Sequence, residues 1–209
     1  MSAPRRVLIT GGVRSGKSTY AERLLWEAPA TYLATGPSRP DDDEWRARVA
    51  AHQQRRPSHW SSLESVDVPR ALSEINRPCL LDDVGSWLTS ALEESGAWVS
   101  DTGEGPRRGD EEQSTPPPPS MPTWHQRYAA RADAFVEAIT AFEHDLVIVT
   151  NEVGFGLVSP YQSGRLFTDE LGRLNQRLAR ACDDVVLVVA GCLLVIKGEP
   201  KNPCLLYTS

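Results

Sequence analysis

The stretch "GGVRSGKST", Gly11 to Thr19, follows the apolar run "VLIT" at Val7–Thr10. Gly11, Gly16, Lys17 and Ser18 fit the spacing G-x-x-x-x-G-K-[ST], in which a strand turns through glycines into a helix. Such a turn aims several backbone N–H groups at one point, and the helix dipole adds positive potential there. The chemistry is phosphate binding. Gly11 and Gly16 permit the tight backbone path, Lys17 reaches the β- and γ-phosphates, and the Ser18 hydroxyl is the expected ligand for Mg²⁺. Gly12, Val13, Arg14 and Ser15 complete the loop, with Arg14 a further phosphate contact. A Mg²⁺–nucleotide site also calls for a carboxylate at the end of a second buried strand. "CLLDD", Cys79–Asp83, supplies two: one to cap the helix that starts near Val84, and Asp82 for the metal side. These residues specify nucleotide phosphates and magnesium. They do not separate a kinase from a nucleotide switch.

A second candidate lies in "DDEWRARVAAHQQRRPSHW", Asp42–Trp60. His52 stands at the end of a helix-compatible segment, with Arg48 one turn before it and Arg55 and Arg56 just beyond. A neutral imidazole is a good nitrogen nucleophile toward phosphorus at pH 7. Nearby guanidinium groups would hold anionic phosphates and neutralise charge that develops during transfer. His52 also falls on one helical face with Trp45 and Val49, so spacing alone favours a packed core histidine. His59, His125 and His144 lack such a context and read as surface or core residues. Asn151 and Glu152, in "TNEVG", end a strand beside the expected cleft and have no assigned role.

The elements that must position these groups alternate along the chain. Val7–Thr10, Ala30–Thr35, Cys79–Asp83, Leu146–Thr150 and Val185–Ala190 are apolar and strand-like. Ser18–Trp26, "DDDEWRARVAAHQQ" and Val84–Glu94 are helix-compatible, and Leu171, Leu174 and Leu178 mark one more helical face. Tyr128, Ala132, Phe135, Ile139 and Phe142 trace another stripe. The fold class that follows is α/β: a three-layer P-loop nucleotide-binding fold with a mostly parallel sheet. Ser100–Pro122 holds six prolines and almost no large apolar residue, so it reads as a disordered excursion. The tail after residue 198 matches nothing before it and is given no function. One domain over residues 1–198 is expected, with the insertion at about 100–122 and an irregular, non-native-looking end at 199–209.

Composition narrows the class. With 209 residues, 40% hydrophobic and 24% charged, the chain suits one soluble domain. A net charge of −6 argues against broad nucleic-acid binding. No N-terminal stretch has a signal peptide's charged start and apolar core. "VVLVVAGCLLVI", Val185–Ile196, is too short to span a bilayer as a helix and reads as strand, turn, strand. Cys79, Cys182, Cys192 and Cys204 show no metal or disulfide spacing; three of them are expected as small buried residues in a reducing cytoplasm.

The order of "GGVRSGKST", "YLAT", "DDEWRARVAAHQQRRPSHW", "LLDD", "VTNEVGFGLVSP" and "GRLFTDELGRLNQRLARACDDVVLVVAG" resembles the bifunctional adenosylcobinamide kinase/adenosylcobinamide-phosphate guanylyltransferase family. The resemblance runs from about Val7 to Lys197, without the Pro-rich excursion. It implies that His52 accepts GMP from GTP as a covalent phosphoramidate, which reverses the balance on that residue. Gly11–Ser18 would bind the triphosphate; Thr35, Gly36 and Pro37 match a nucleotide-contacting segment. Gln53, Gln54, Arg55 and Arg56 match the run after the guanylylated histidine, and Glu64 and Asp82 match two acidic nucleotide-site positions. Asp82 stands where the family also uses Glu, Asp83 where a cysteine is common, and Ala51 where a second histidine occurs. The implied chemistry is phosphorylation of adenosylcobinamide with ATP or GTP, then GMP transfer to adenosylcobinamide phosphate, each with Mg²⁺. A cytoplasmic homo-oligomer, a trimer with sites at subunit boundaries, is implied as well. The rival readings are a simple P-loop kinase with a structural His52 and a nucleotide-dependent switch. The missing N-K-x-D guanine-reading motif counts against the latter.

Overall fold

The computed structural model of the chain describes residues 3–36, 56–98 and 122–199. The expected helix carrying His52, together with Pro37, Gln53, Gln54 and Arg55, lies outside the described residues. So do the Pro-rich excursion up to residue 121 and the tail from residue 200.

Strand β1 (Arg6–Gly11) leads through the phosphate-loop sequence into helix α1 (Lys17–Leu24) and strand β2 (Thr31–Ala34). After the first gap come β3 (Ser61–Glu64), α2 (Val68–Glu74), β4 (Cys79–Asp82) and α3 (Val84–Glu94). The rest is α4 (Trp124–Ala141), β5 (Leu146–Val149), α5 (Gln162–Ala181), β6 (Asp184–Val189) and β7 (Cys192–Lys197). The helix starts are written in side chains. Asp83 accepts a hydrogen bond from the Ser86 N–H at 2.7 Å, and Asp67 caps α2 through the Arg70 N–H. Thr123 and Gln126 form a reciprocal capping box at α4.

The seven strands form one sheet in the order β3-β2-β4-β5-β1-β6-β7. Every pairing is parallel except β6 with β7, a hairpin turned at Ala190–Gly191. Alternate side chains of each buried strand feed two separate cores. Leu8, Leu81 and Ile148 join the larger one, built with α3, α4 and α5; Ile9, Leu80 and Val149 join the smaller one, with Tyr20, Ala21 and Leu25 on the α1 side. The sheet is thus covered on both faces, the three-layer arrangement that the alternating elements imply. The α4 stripe is buried as expected at Tyr128, Ala132, Phe135 and Ile139.

Two short elements were not anticipated from the sequence. β3 is short and wholly exposed, with no apolar alternation to announce it, and α2 spans only Val68–Glu74. Cys79 and Cys182 are buried, whereas Cys192 is exposed because it begins the outer strand β7. Among the described residues no helix is long and apolar enough to cross a membrane.

The larger core turns on Trp87 against Phe135, whose ring centroids lie 4.1 Å apart with both side chains buried. Replacing Phe135 with Ala removes an aromatic contact and leaves a cavity, at an expected cost of about 3–5 kcal/mol. Urea unfolding of the Phe135→Ala variant measures it; a loss below about 1 kcal/mol would mean that α3 and α4 do not share this core.

Candidate active site

The loop between β1 and α1 is held open by its own backbone. Gly11 has φ +155°, and a Cβ there would run into the Val188 carbonyl oxygen and stand 2.8 Å from the Ser15 hydroxyl. Gly16 caps α1 at φ 98° with no side-chain hydrogen bond, so the first N–H groups of the helix are left to a ligand. Arg14, exposed at the loop tip, also takes a positive φ of 57°. Neighbouring strands brace the loop from both sides. The Glu152 N–H donates to the Gly11 carbonyl at 3.1 Å, and the Gly191 N–H donates to the Ser15 carbonyl at 2.9 Å.

Lys17 donates from Nζ to the Gly12 carbonyl at 3.2 Å, so its ammonium lies across the loop it would share with a phosphate. Burial lowers its pKa, while Asp82 and Asp83 oppose that shift. Asp82 ends β4, two strand spacings from β1, or about 10 Å across the sheet. Side chains narrow the gap: the Ser18 hydroxyl is near enough to the Asp82 carboxylate to favour its ionised form. The two residues expected to serve one metal ion are therefore neighbours. Burial, and then the Asp83 charge, push the Asp82 carboxyl up to about 6, against the pull of Tyr32, Lys17 and Ser18. Because this value lies above that of an unfolded carboxylate, the folded state gains from protonation in acid and loses that gain as pH rises through about 6. At neutral pH an ionised Asp82 is a standing cost that a cation would offset.

The donor set suits magnesium. A serine hydroxyl and one carboxylate are hard oxygen ligands, and Mg²⁺ is ordinarily completed by substrate phosphates and water rather than by a protein cage. Consistent with that, the described residues contain no group of three or more His, Cys, Asp or Glu that could hold an ion alone. Asp83 is occupied as the cap of α3, which leaves Asp82 as the carboxylate facing the loop.

The remaining described candidates spread along the same sheet edge. Thr35 is buried; its N–H donates to the Asp82 carbonyl at 3.3 Å and its hydroxyl to the Asp83 carbonyl at 2.5 Å. Gly36 packs on Ser86, where an added Cβ would stand 3.2 Å from the serine Cβ. Thr35 therefore supports the backbone under the carboxylates. Glu64 ends β3, exposed and in register with Ala34, which pairs in turn with Asp82. That is the edge far from the phosphate loop. Arg56 lies over the Tyr32 ring at 3.3 Å from its centroid and donates to the Ser62 hydroxyl at 3.0 Å.

Sequence reasoning passed over Tyr32, Thr150 and Asn175. The Thr150 hydroxyl donates to Asn175 Oδ1 at 2.7 Å, and Asn175 Nδ2 donates to the Asn151 carbonyl at 3.0 Å, so α5 grips the exit of β5. A signal existed: Asn175 lies four residues after Leu171 and three before Leu178, a polar group on the buried stripe of α5. Tyr32 gave none, because an aromatic residue inside a strand is ordinary.

A glycine turn, a loop lysine and a carboxylate gathered at the C-terminal ends of parallel strands define a P-loop nucleotide-binding protein of the α/β class. Residues 7–196 match the family model described as cobinamide kinase / cobinamide phosphate guanyltransferase, and the chain belongs to that family. It is 33% identical to the "Bifunctional adenosylcobalamin biosynthesis protein CobP" of Pseudomonas aeruginosa, over 93% of this chain and 99% of the relative. Proteins named "Bifunctional adenosylcobalamin biosynthesis protein CobU" are 35% identical in Escherichia coli and 36% in Salmonella typhimurium. Each of these two alignments covers 91% of this chain and 99% of the relative.

The two glycines that open the loop make opposite demands. A Cβ on Gly12 would meet nothing within 4 Å, unlike one on Gly11. Gly11→Ala should lower stability by about 2 kcal/mol or more, and Gly12→Ala should stay within about 0.5 kcal/mol of the parent. Parallel denaturant titrations compare them. Equal losses would mean that the close approach of Gly11 to Val188 does not constrain the loop.

Proposed function

We propose that this chain phosphorylates the terminal hydroxyl of the aminopropanol arm of adenosylcobinamide and then transfers GMP to the product, giving adenosylcobinamide-GDP. The observation that carries the reading is the junction of the glycine loop, Lys17, Ser18 and Asp82, in a chain that belongs to the cobinamide kinase family. One triphosphate site would serve both reactions.

In the first, a nucleotide triphosphate lies on the backbone N–H groups from Gly12 to Ser18. Lys17 turns from the Gly12 carbonyl to the β- and γ-phosphates and offsets the charge that spreads over the transferring group. The acceptor hydroxyl attacks the γ-phosphorus as the bond to the leaving nucleoside diphosphate breaks, and the hydroxyl proton is lost to solvent. Ser18 and Asp82 would hold Mg²⁺, which when bound neutralises phosphate charge. In the second, a ring nitrogen of His52 attacks the α-phosphorus of GTP and pyrophosphate leaves. The phosphate of adenosylcobinamide phosphate then attacks the phosphoramidate, breaking the P–N bond, forming the diphosphate and freeing His52. Arg56 supports this assignment. It follows His52 by four residues, a span of about 14 Å at full extension, and its guanidinium is seated beside the tyrosine that holds Asp82. Gln53, Gln54 and Arg55 belong to the same run. Gly36, Pro37 and Glu64 would meet the nucleotide farther from the phosphates, whereas Thr35, buried and bonded to the backbone of Asp82 and Asp83, would act only through them.

The reading extends to the whole molecule: a single domain over residues 1–198, acting in the cytoplasm as a homotrimer, on a corrinoid rather than on nucleic acid or a membrane. The histidine intermediate has a mechanical advantage. Splitting the transfer lets pyrophosphate leave before a bulky acceptor approaches.

Incubation with GTP labelled at the α-phosphate tests the assignment. The parent protein should carry acid-labile label on the peptide containing His52, and His52→Asn should carry none while still phosphorylating cobinamide. Lys17→Ala should depress both reactions by about 100-fold or more, as loss of a charged group aimed at the transferring phosphate does. Label that persists in His52→Asn would contradict the histidine assignment, and full activity in Lys17→Ala would contradict the shared site.

A further inference from the structure

We propose that Tyr32 is a positioning residue: its phenol fixes the direction in which Asp82 presents its carboxylate to the phosphate loop. The inference rests on the reading of Asp82 as the metal-side carboxylate and gives a role to Tyr32, which opens the "YLAT" stretch and has none in the motif reading.

The geometry is closed on several sides. Tyr32 is buried in β2, and its hydroxyl donates to Asp82 Oδ2 at 2.8 Å. In the parallel register Tyr32 lies opposite Leu80, and Ala34 lies opposite Asp82. The phenol therefore reaches diagonally along β4 to a side chain on its own face of the sheet, two positions beyond its partner. The ring is held in turn. The Arg56 guanidinium covers one face at 3.3 Å from the centroid and is itself tied to Ser62 on β3.

The consequence concerns Asp82. With Oδ2 engaged by the phenol, the group has little freedom to rotate. A phenol is protonated throughout the neutral range, so Tyr32 stays a donor to the carboxylate. A partner that orients a ligating carboxylate raises metal affinity without touching the metal, and losing it costs about 10-fold. A tyrosine that merely fills the core would have no such effect.

Tyr32→Phe keeps the ring under Arg56 and removes only the hydroxyl. Mn²⁺, followed by its electron paramagnetic resonance signal, is titrated into complexes with a non-hydrolysable GTP analogue for the parent, Tyr32→Phe and Asp82→Asn. Binding of the analogue without metal serves as the control for an intact loop. The expected result is that Tyr32→Phe weakens Mn²⁺ by about 10-fold and Asp82→Asn by more, with metal-free nucleotide affinity kept in Tyr32→Phe. Parent-like Mn²⁺ affinity in Tyr32→Phe, with the loss confined to Asp82→Asn, overturns the role of the phenol. Parent-like affinity in Asp82→Asn instead overturns the metal-side reading beneath it. If Tyr32→Phe does not fold, a fluorinated tyrosine at position 32 keeps the packing and alters only donor strength. A change in Mn²⁺ affinity of about twofold or more then supports the proposal, and no change overturns it.

Discussion

The site depends on the parallel pairing of β1 with β5 and of β5 with β4. The glycine loop and Asp82 are far apart in sequence, and neither makes a nucleotide site alone. Parallel strands end at the same edge, so the turn after β1 and the carboxylate at the end of β4 must emerge side by side. The strand between them spaces the two at a distance that the side chains of Lys17 and Ser18 can cover. Were β4 antiparallel, Asp82 would emerge at the opposite edge.

What this arrangement costs is concentrated in a few groups. The loop keeps two residues at positive φ besides its first glycine, and its lysine is half-buried among its own carbonyl groups. Asp82 is held where burial and its neighbour Asp83 both resist ionisation. Such groups persist only where the surroundings over-determine them. The bracing contacts do that here: Glu152 and Gly191 hold the loop backbone, and Asn175 fixes the exit of β5 through Thr150 and Asn151. A bound metal–nucleotide would relieve the same groups at once, converting a locally unfavourable arrangement into binding.

Much of this was legible in the sequence because it is local. The glycine spacing, the strand before it and the helix after it are neighbours in the chain, and the structure keeps them as β1, loop and α1. The division of labour between the two aspartates was likewise readable from the helix that follows: Asp83 caps α3 and Asp82 faces the loop. What escaped depends on contacts between distant segments. Tyr32 meets Asp82 only because β2 and β4 pair in one register. Asn175 becomes a clamp only when α5 is laid against the end of β5. The short strand β3, exposed throughout, carries no pattern that a solvated loop would lack. His52 is the converse case: its spacing suited a packed core residue, and the family resemblance carried its assignment.

The most direct test of the central claim is a crystal structure of the protein with Mg²⁺ and a non-hydrolysable GTP analogue. The account predicts the β- and γ-phosphates on the N–H groups of residues 12–18 with Lys17 Nζ turned onto them, and the metal between Ser18 and Asp82. Phosphates bound elsewhere, or a metal held without either residue, would contradict it.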